Sequence, residues 1–157
     1  MEIEKLIEHT LVQHIVDLAT NIKRNGSLVS LQIDLTTQQW IILLLLAGDP
    51  NHPYMADGVP KNFMASDIAD ALGVSRPNIT NMINSLVEKG LVLQTDDGFD
   101  RRKKQLDLTP AAFGMLGAIE PLRKDANRRL LGDFSEEEKE LFLTFLQRCL
   151  NYINRQK

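Results

Sequence analysis

Apolar residues in the first stretch of the chain return at Ile3, Leu6, Ile7, Leu11, Ile15, Leu18 and Ile22. Steps of three and four predict an amphipathic helix, and Gly26 offers a stop. Asp34-Leu35-Thr36 opens a second segment, Gln38 to Ala47, apolar almost all round and therefore a buried helix. Gly48 to Lys61 carries Pro50, Pro53, Gly58 and Pro60 and reads as a loop. It is long beside the connections of about 4–6 residues usual in compact domains. A short helix follows from Ala65 to Leu72, with Ile68, Ala69 and Leu72 inward. Gly73-Val74 makes a turn, Ser75 can cap the next helix, and Pro77 suits a first turn that needs no donor there. That helix buries Ile79, Ile83, Leu86 and Val87 and closes at Lys89-Gly90, a basic last turn with a terminal glycine. Two helices joined by a short glycine turn make a helix-turn-helix.

The period then changes from helical to alternating. Leu91-Val92-Leu93 predicts a strand, Asp96-Asp97-Gly98 a turn, and Leu106 and Leu108, alternating with Gln105 and Asp107, a returning strand. The hairpin is a wing. Thr109-Pro110 caps and starts a helix through Phe113, Leu116 and Ile119, which Pro121 is expected to kink or divide. Ser135-Glu136-Glu137-Glu138 is a capping box. It opens a last helix with Phe142, Phe145, Leu146, Cys149, Tyr152 and Ile153 on one stripe. The predicted fold is mainly α with a small β-hairpin wing.

Composition narrows the class. A chain of 157 residues suits one domain, and the longest apolar run, Trp40 to Ala47, falls short of the ~18 residues of a membrane span. Cys149 is the only cysteine, which excludes an intrachain disulfide. With an acidic start, Met1-Glu2-Ile3-Glu4, the expected location is cytoplasmic, away from membranes. The net charge of −3 argues against nucleic acid until its distribution is considered. Residues 1–60 carry three Lys/Arg against seven Asp/Glu, and residues 106–157 carry eight of each. Residues 61–105 carry seven against six and hold the one run of four like charges, Arg101-Arg102-Lys103-Lys104. It falls on the wing.

These residues resemble the MarR family of bacterial regulators. The likeness lies in the helix order, in Asp67-Ile68-Ala69 through Gly90-Leu91-Val92, and in Leu35-Thr36-x-x-Gln39-Trp40. It is most specific in the wing, where Asp100-Arg101-Arg102 is followed after five residues by Leu108-Thr109. The Gly48–Lys61 loop is longer than the family usually carries, and Pro121, with Gly114 and Gly117 nearby, makes the fifth helix less regular. The resemblance implies an obligate homodimer joined through its first and last two helices. It further implies a palindromic double-stranded DNA operator, often under the control of a small phenolic or other effector, or of oxidation; the expected role is that of a repressor. The expected organisation is one domain over 1–157, with a DNA-binding lobe at 35–109 and a helical dimerisation lobe at 1–26 and 110–157.

The second helix of the turn offers chemistry suited to bases. Opposite Ile79 and Ile83 stand Asn78, Asn81, Asn84 and Ser85, and the first turn adds Ser75, Arg76 and Thr80. Arg76 suits guanine and Asn78 or Asn81 adenine, each pairing worth about 1–3 kcal/mol of discrimination. Ser75, Thr80 and the helix N-terminus suit phosphates. A merely solvated face would carry Lys and Glu, whereas this one carries amides and hydroxyls. In the wing, the resemblance points to Arg101 and Arg102 for the backbone or minor groove, with Lys103 and Lys104 adding non-specific attraction.

Other residues have plainer readings. His14, Trp40 and Tyr54 are candidates for an effector pocket, though His14 reads first as a satisfied buried histidine and Trp40 as core. Cys149, on an apolar stripe, reads as a small inert hydrophobe. His9 and His14 stand five residues apart, about 140° around a helix, so they form no metal pair, and neither a metal nor a cofactor is expected. No phosphate loop, metal cluster or nucleophile motif supports an enzyme. The remaining rival is a winged helix used as a protein–protein interaction module. It would be marked by exposed Leu or Phe on the recognition helix, and none is present.

Overall fold

A computed structural model follows the predicted order. Its helices are α1 (Ile7–Leu31), α2 (Thr37–Leu46), α3 (Ala65–Leu72) and α4 (Arg76–Glu88), then strands β1 (Val92–Asp96) and β2 (Lys104–Leu108), then α5 (Pro110–Leu130) and α6 (Glu136–Arg155). The structure describes residues 4–31, 33–55, 63–96, 98 and 104–156. The chain divides into two compact units, residues 1–118 and 119–157.

α2 begins where Thr36 and Gln39 satisfy each other. The Gln39 N–H donates to Thr36 Oγ1 at 3.2 Å, and the Thr36 N–H donates to Gln39 Oε1 at 3.0 Å. Beyond this capping box the helix is buried on several sides, with Ile42, Leu43 and Leu45 wholly enclosed. Around it pack Ile68 of α3, Ile79, Ile83 and Leu86 of α4, and Val92 and Leu106 of the hairpin. Each such side chain contributes roughly 1.5–3 kcal/mol by leaving water.

Two glycines make the turns around α4. Gly73 ends α3 at φ +63° and Gly90 follows α4 at φ +69°, left-handed conformations that glycine adopts without a Cβ penalty. β1 and β2 pair antiparallel from Val92↔Leu108 to Asp96↔Lys104, both longer than the sequence predicts. Phe63 adds an isolated antiparallel bridge to Leu106, whose N–H donates to the Phe63 carbonyl at 3.0 Å. At the root of the wing, Thr109 Oγ1 donates to the Gly90 carbonyl at 2.8 Å and accepts the Ala112 N–H at 3.2 Å. The Thr109 N–H donates to the Leu91 carbonyl at 3.1 Å. One threonine thus caps α5 and ties it to the end of α4.

Several expectations need correction. α1 does not stop at Gly26 but continues to Leu31, since an interior glycine costs a helix only about 1 kcal/mol relative to alanine. Nor does Pro121 divide α5, which is continuous from Pro110 to Leu130. The carbonyl that Pro121 cannot reach belongs to Gly117, exposed and open to water. The long loop holds a 3₁₀ turn, Pro53–Met55, with Met55 buried; residues 56–61 of that loop lie outside the described ones. In the 119–157 unit, Ser135 and Glu138 form the expected capping box, and the Phe134 and Phe142 rings stack with centroids 6.2 Å apart. α6 buries none of its residues in the single chain. Cys149 is accordingly exposed rather than buried.

Replacing Thr109 by valine keeps the shape and removes the hydroxyl, leaving the Gly90 carbonyl and the Ala112 N–H without their partner. We expect a loss of about 1–3 kcal/mol, read from urea unfolding at fixed protein concentration. Thr144→Val, at an exposed α6 position whose hydroxyl bonds only within its own helix, should stay within about 0.5 kcal/mol.

Candidate nucleic-acid interface

α4 owes its position to one stripe and its chemistry to the opposite one. Ile79, Ile83 and Leu86 are fully buried. At about 100° per residue, Asn81 and Asn84 then face directly away, with Asn78 at one border and Arg76 and Thr80 at the other. Ser75, Arg76, Asn78, Thr80, Asn81 and Asn84 are all exposed. No large apolar side chain interrupts this surface, so its amides and guanidinium are free to meet a polar partner.

The N-terminus of α4 is less closed than its sequence suggests. Ser75 occupies the cap position, yet its hydroxyl makes no capping bond. The first N–H groups of a helix lack intrahelical acceptors, and Pro77 removes one of them. Those of Arg76 and Asn78 remain, at the positive end of the helix dipole, beside an uncommitted Ser75 hydroxyl. That arrangement accepts an anionic oxygen.

Two expected contacts look different in three dimensions. The Thr80 hydroxyl donates to the Arg76 carbonyl at 2.9 Å, so its proton is already committed within the helix. Ser85 does not belong to the outward set. It is half-buried, and its Oγ accepts a hydrogen bond from Gln39 Nε2 at 3.0 Å, reaching α2 across 46 positions of sequence. Gln39 enters the sequence-based expectations only through the family pattern; the Thr36-x-x-Gln39 spacing of a capping box was the available signal for its place at the helix start. Lys89, at the C-terminal cap of α4, forms an ion pair with Asp34, which sits at φ +53° before α2.

On the wing, Arg101, Arg102 and Lys103 lie outside the described residues. Their place in the chain is the connection between the paired Asp96 and Lys104. Lys104 itself stands on β2 directly opposite Asp96, so its charge has a carboxylate across the ladder.

The three pocket candidates occupy different elements. His14 is exposed on α1, with Nδ1 2.7 Å from the Thr10 carbonyl oxygen; the seam expected to bury it is itself open in the single chain. Trp40 is half-buried on α2 against the core. Tyr54, in the loop, is exposed, with its ring centroid 6.4 Å from that of Phe63. Burial pushes its phenol above the ordinary value, and the carboxylates of Asp67 and Asp70 add to this. Nearby His52 accepts the Tyr54 N–H on Nδ1 at 3.1 Å. Burial lowers its pKa below 6.5, partly offset by Asp49. Among the described residues no three metal-ligating side chains converge, and no helix is long and apolar enough to cross a membrane.

Comparison with known proteins bears on this geometry. Residues 33–103 match the MarR family model. Transcriptional regulator HosA of Escherichia coli O127:H6 is 25% identical over 118 residues, covering 75% of this chain and 79% of its own. A MarR protein from Peptoclostridium difficile superposes with a TM-score of 0.82 at 17% identity, covering 99% of this chain and 94% of the other. A MarR/EmrR family transcriptional regulator from Acinetobacter sp. ADP1 gives 0.78 at 18% identity, covering 96% and 99%. The S. aureus MepR–DNA complex gives 0.73 at 22% identity, covering 94% and 99%.

A histidine held neutral by the fold favours folding above its unfolded pKa and loses that contribution as pH falls. His52 should therefore titrate below 6.5 by NMR, and stability should decline as pH drops from 6.5 toward that midpoint. His52→Gln should flatten this part of the stability profile; an unchanged profile would remove His52 as its source.

Proposed function

We propose that this chain, whose residues 33–103 match the MarR family model, is a DNA-binding transcriptional regulator of that family, a repressor acting as a homodimer on a palindromic operator. The observation that carries the reading is the outward face of α4, where Arg76, Asn78, Asn81 and Asn84 stand exposed behind a fully buried apolar stripe. These side chains make the bidentate pairings that distinguish bases in the major groove. Ser75 and the open N–H groups of the first turn hold a phosphate, and Arg101, Arg102 and Lys103 extend the interface to the backbone or minor groove. Thr80 contributes its oxygen and its position rather than a free donor.

Two further features support the homodimer. α1 exposes Leu11, Val12, Ile15 and Val16, the last 60% accessible. α6 exposes Leu141, Leu143, Phe145, Leu150 and Ile153. Apolar stripes of this length are seldom left in water. Two copies would place their recognition helices about 34 Å apart, the spacing of successive major grooves. An effector bound near His14, Trp40 or Tyr54 would release DNA by changing that spacing, and a small aromatic acid is the class to screen.

Selection from a pool of random duplexes tests the reading directly: enrichment of a palindrome supports it, and no enrichment overturns it. On the enriched duplex, Arg102→Ala should weaken binding to all sequences. It should also lower the slope of log affinity against log salt by roughly 1 for each phosphate the variant no longer neutralises. Asn81→Ala should instead change which sequence is preferred. Phe145→Glu should yield a monomer in sedimentation equilibrium and abolish tight operator binding; a variant that stays dimeric removes α6 from the interface.

A further inference from the structure

We propose that Gln39 is the positioning residue that sets the roll of the recognition helix, acting through Ser85. This rests on the DNA-binding reading of α4. The side chains that bury α4, Ile79, Ile83 and Leu86, are held by packing that depends on area and not on direction. Close packing resists a large rotation about the helix axis, but even a small one matters to base contacts: at a side-chain radius of about 5–6 Å, a roll of 10° moves a tip by roughly 1 Å. That shift exceeds the whole range of good hydrogen-bond lengths, about 2.7–3.2 Å.

Gln39 supplies the missing direction. Only 7% of its surface is exposed, so its amide must find partners within the protein. Oε1 accepts the Thr36 N–H at 3.0 Å, which fixes the amide plane at the start of α2. Nε2 is then aimed at Ser85 and donates to Oγ at 3.0 Å. On α4, Ser85 lies within about 60° of both Asn78 and Asn81 around the axis. A roll that stretches the Gln39–Ser85 bond therefore swings both asparagines. The bond joins the start of α2 to the C-terminal part of the DNA-facing helix.

The test compares affinity for the duplex enriched by the wild type with affinity for a scrambled duplex. The variants are Ser85→Ala, Gln39→Met and the double variant. Ser85→Ala leaves the α2 capping box intact and so keeps the test open should Gln39→Met fold poorly. Each single variant should lower the enriched-to-scrambled ratio roughly five- to tenfold, about the factor of one net hydrogen bond, with affinity for scrambled DNA and its salt slope unchanged. The double variant should fall no further than the singles, and Ser85→Thr, which keeps the hydroxyl, should restore the ratio. An unchanged ratio in Ser85→Ala, or losses that multiply in the double variant, overturns the proposal while leaving the DNA reading standing. A wild type that does not discriminate between the two duplexes overturns both.

Discussion

α2 is the element around which the first unit is assembled. It lies against α1, α3, α4 and β2, and its Ile42, Leu43 and Leu45 have no access to water. A ten-residue helix this apolar has no amphipathic direction of its own, so its neighbours decide which way it faces. Its polar first turn breaks the symmetry. Thr36 and Gln39 stop the helix at a fixed point, and the Gln39 amide reaches α4 from there. The hydrophobic core thus supplies the stability, while one buried amide at its edge supplies an orientation.

The outward helix is held chiefly at its C-terminal end. At its C-terminus, Gly90 turns the chain and Thr109 returns to bond the Gly90 carbonyl, so the root of the wing and the start of α5 meet where α4 stops. Lys89 adds an exposed ion pair to Asp34, an interaction worth at most about 1 kcal/mol and weakened by salt. Phe63, just before α3, is bridged to β2 through its carbonyl. These restraints on α4 come from chain distant in sequence. Its outer side chains have only to point outward, and they can be chosen for chemistry rather than for packing.

That division explains what could be read in the sequence. The turn glycines, Pro77, the Thr109-Pro110 cap and the Ser135 box are local signals, each with a local steric or hydrogen-bonding cause, and each stands at its expected place. Gly26 and Pro121 are local signals too, but they mark costs rather than prohibitions; a helix with enough remaining bonds runs through both. Ser85 escapes such reasoning because its partner lies 46 positions away, and no window of sequence contains both. Thr80 looks available because an amphipathic diagram shows where a hydroxyl points but not whether its proton is already taken. His14 and Cys149 fall, by periodicity, on apolar stripes that are exposed in the single chain. The wing arginines are legible by motif alone and fall outside the described residues.

Gly73 and Gly90 bear on how such a chain can drift. A Cβ built at either glycine meets nothing within 4 Å. What these corners require is a left-handed backbone and not a small volume. Asparagine, which visits that region more readily than most residues, is the least strained replacement there, and valine or isoleucine is far worse. The core asks only for apolar volume, the corners only for a backbone angle, and the outer face of α4 for whatever its partner demands. A fold whose requirements are this coarse leaves most positions free to change, which accords with solved structures at 17% and 18% identity having the same fold.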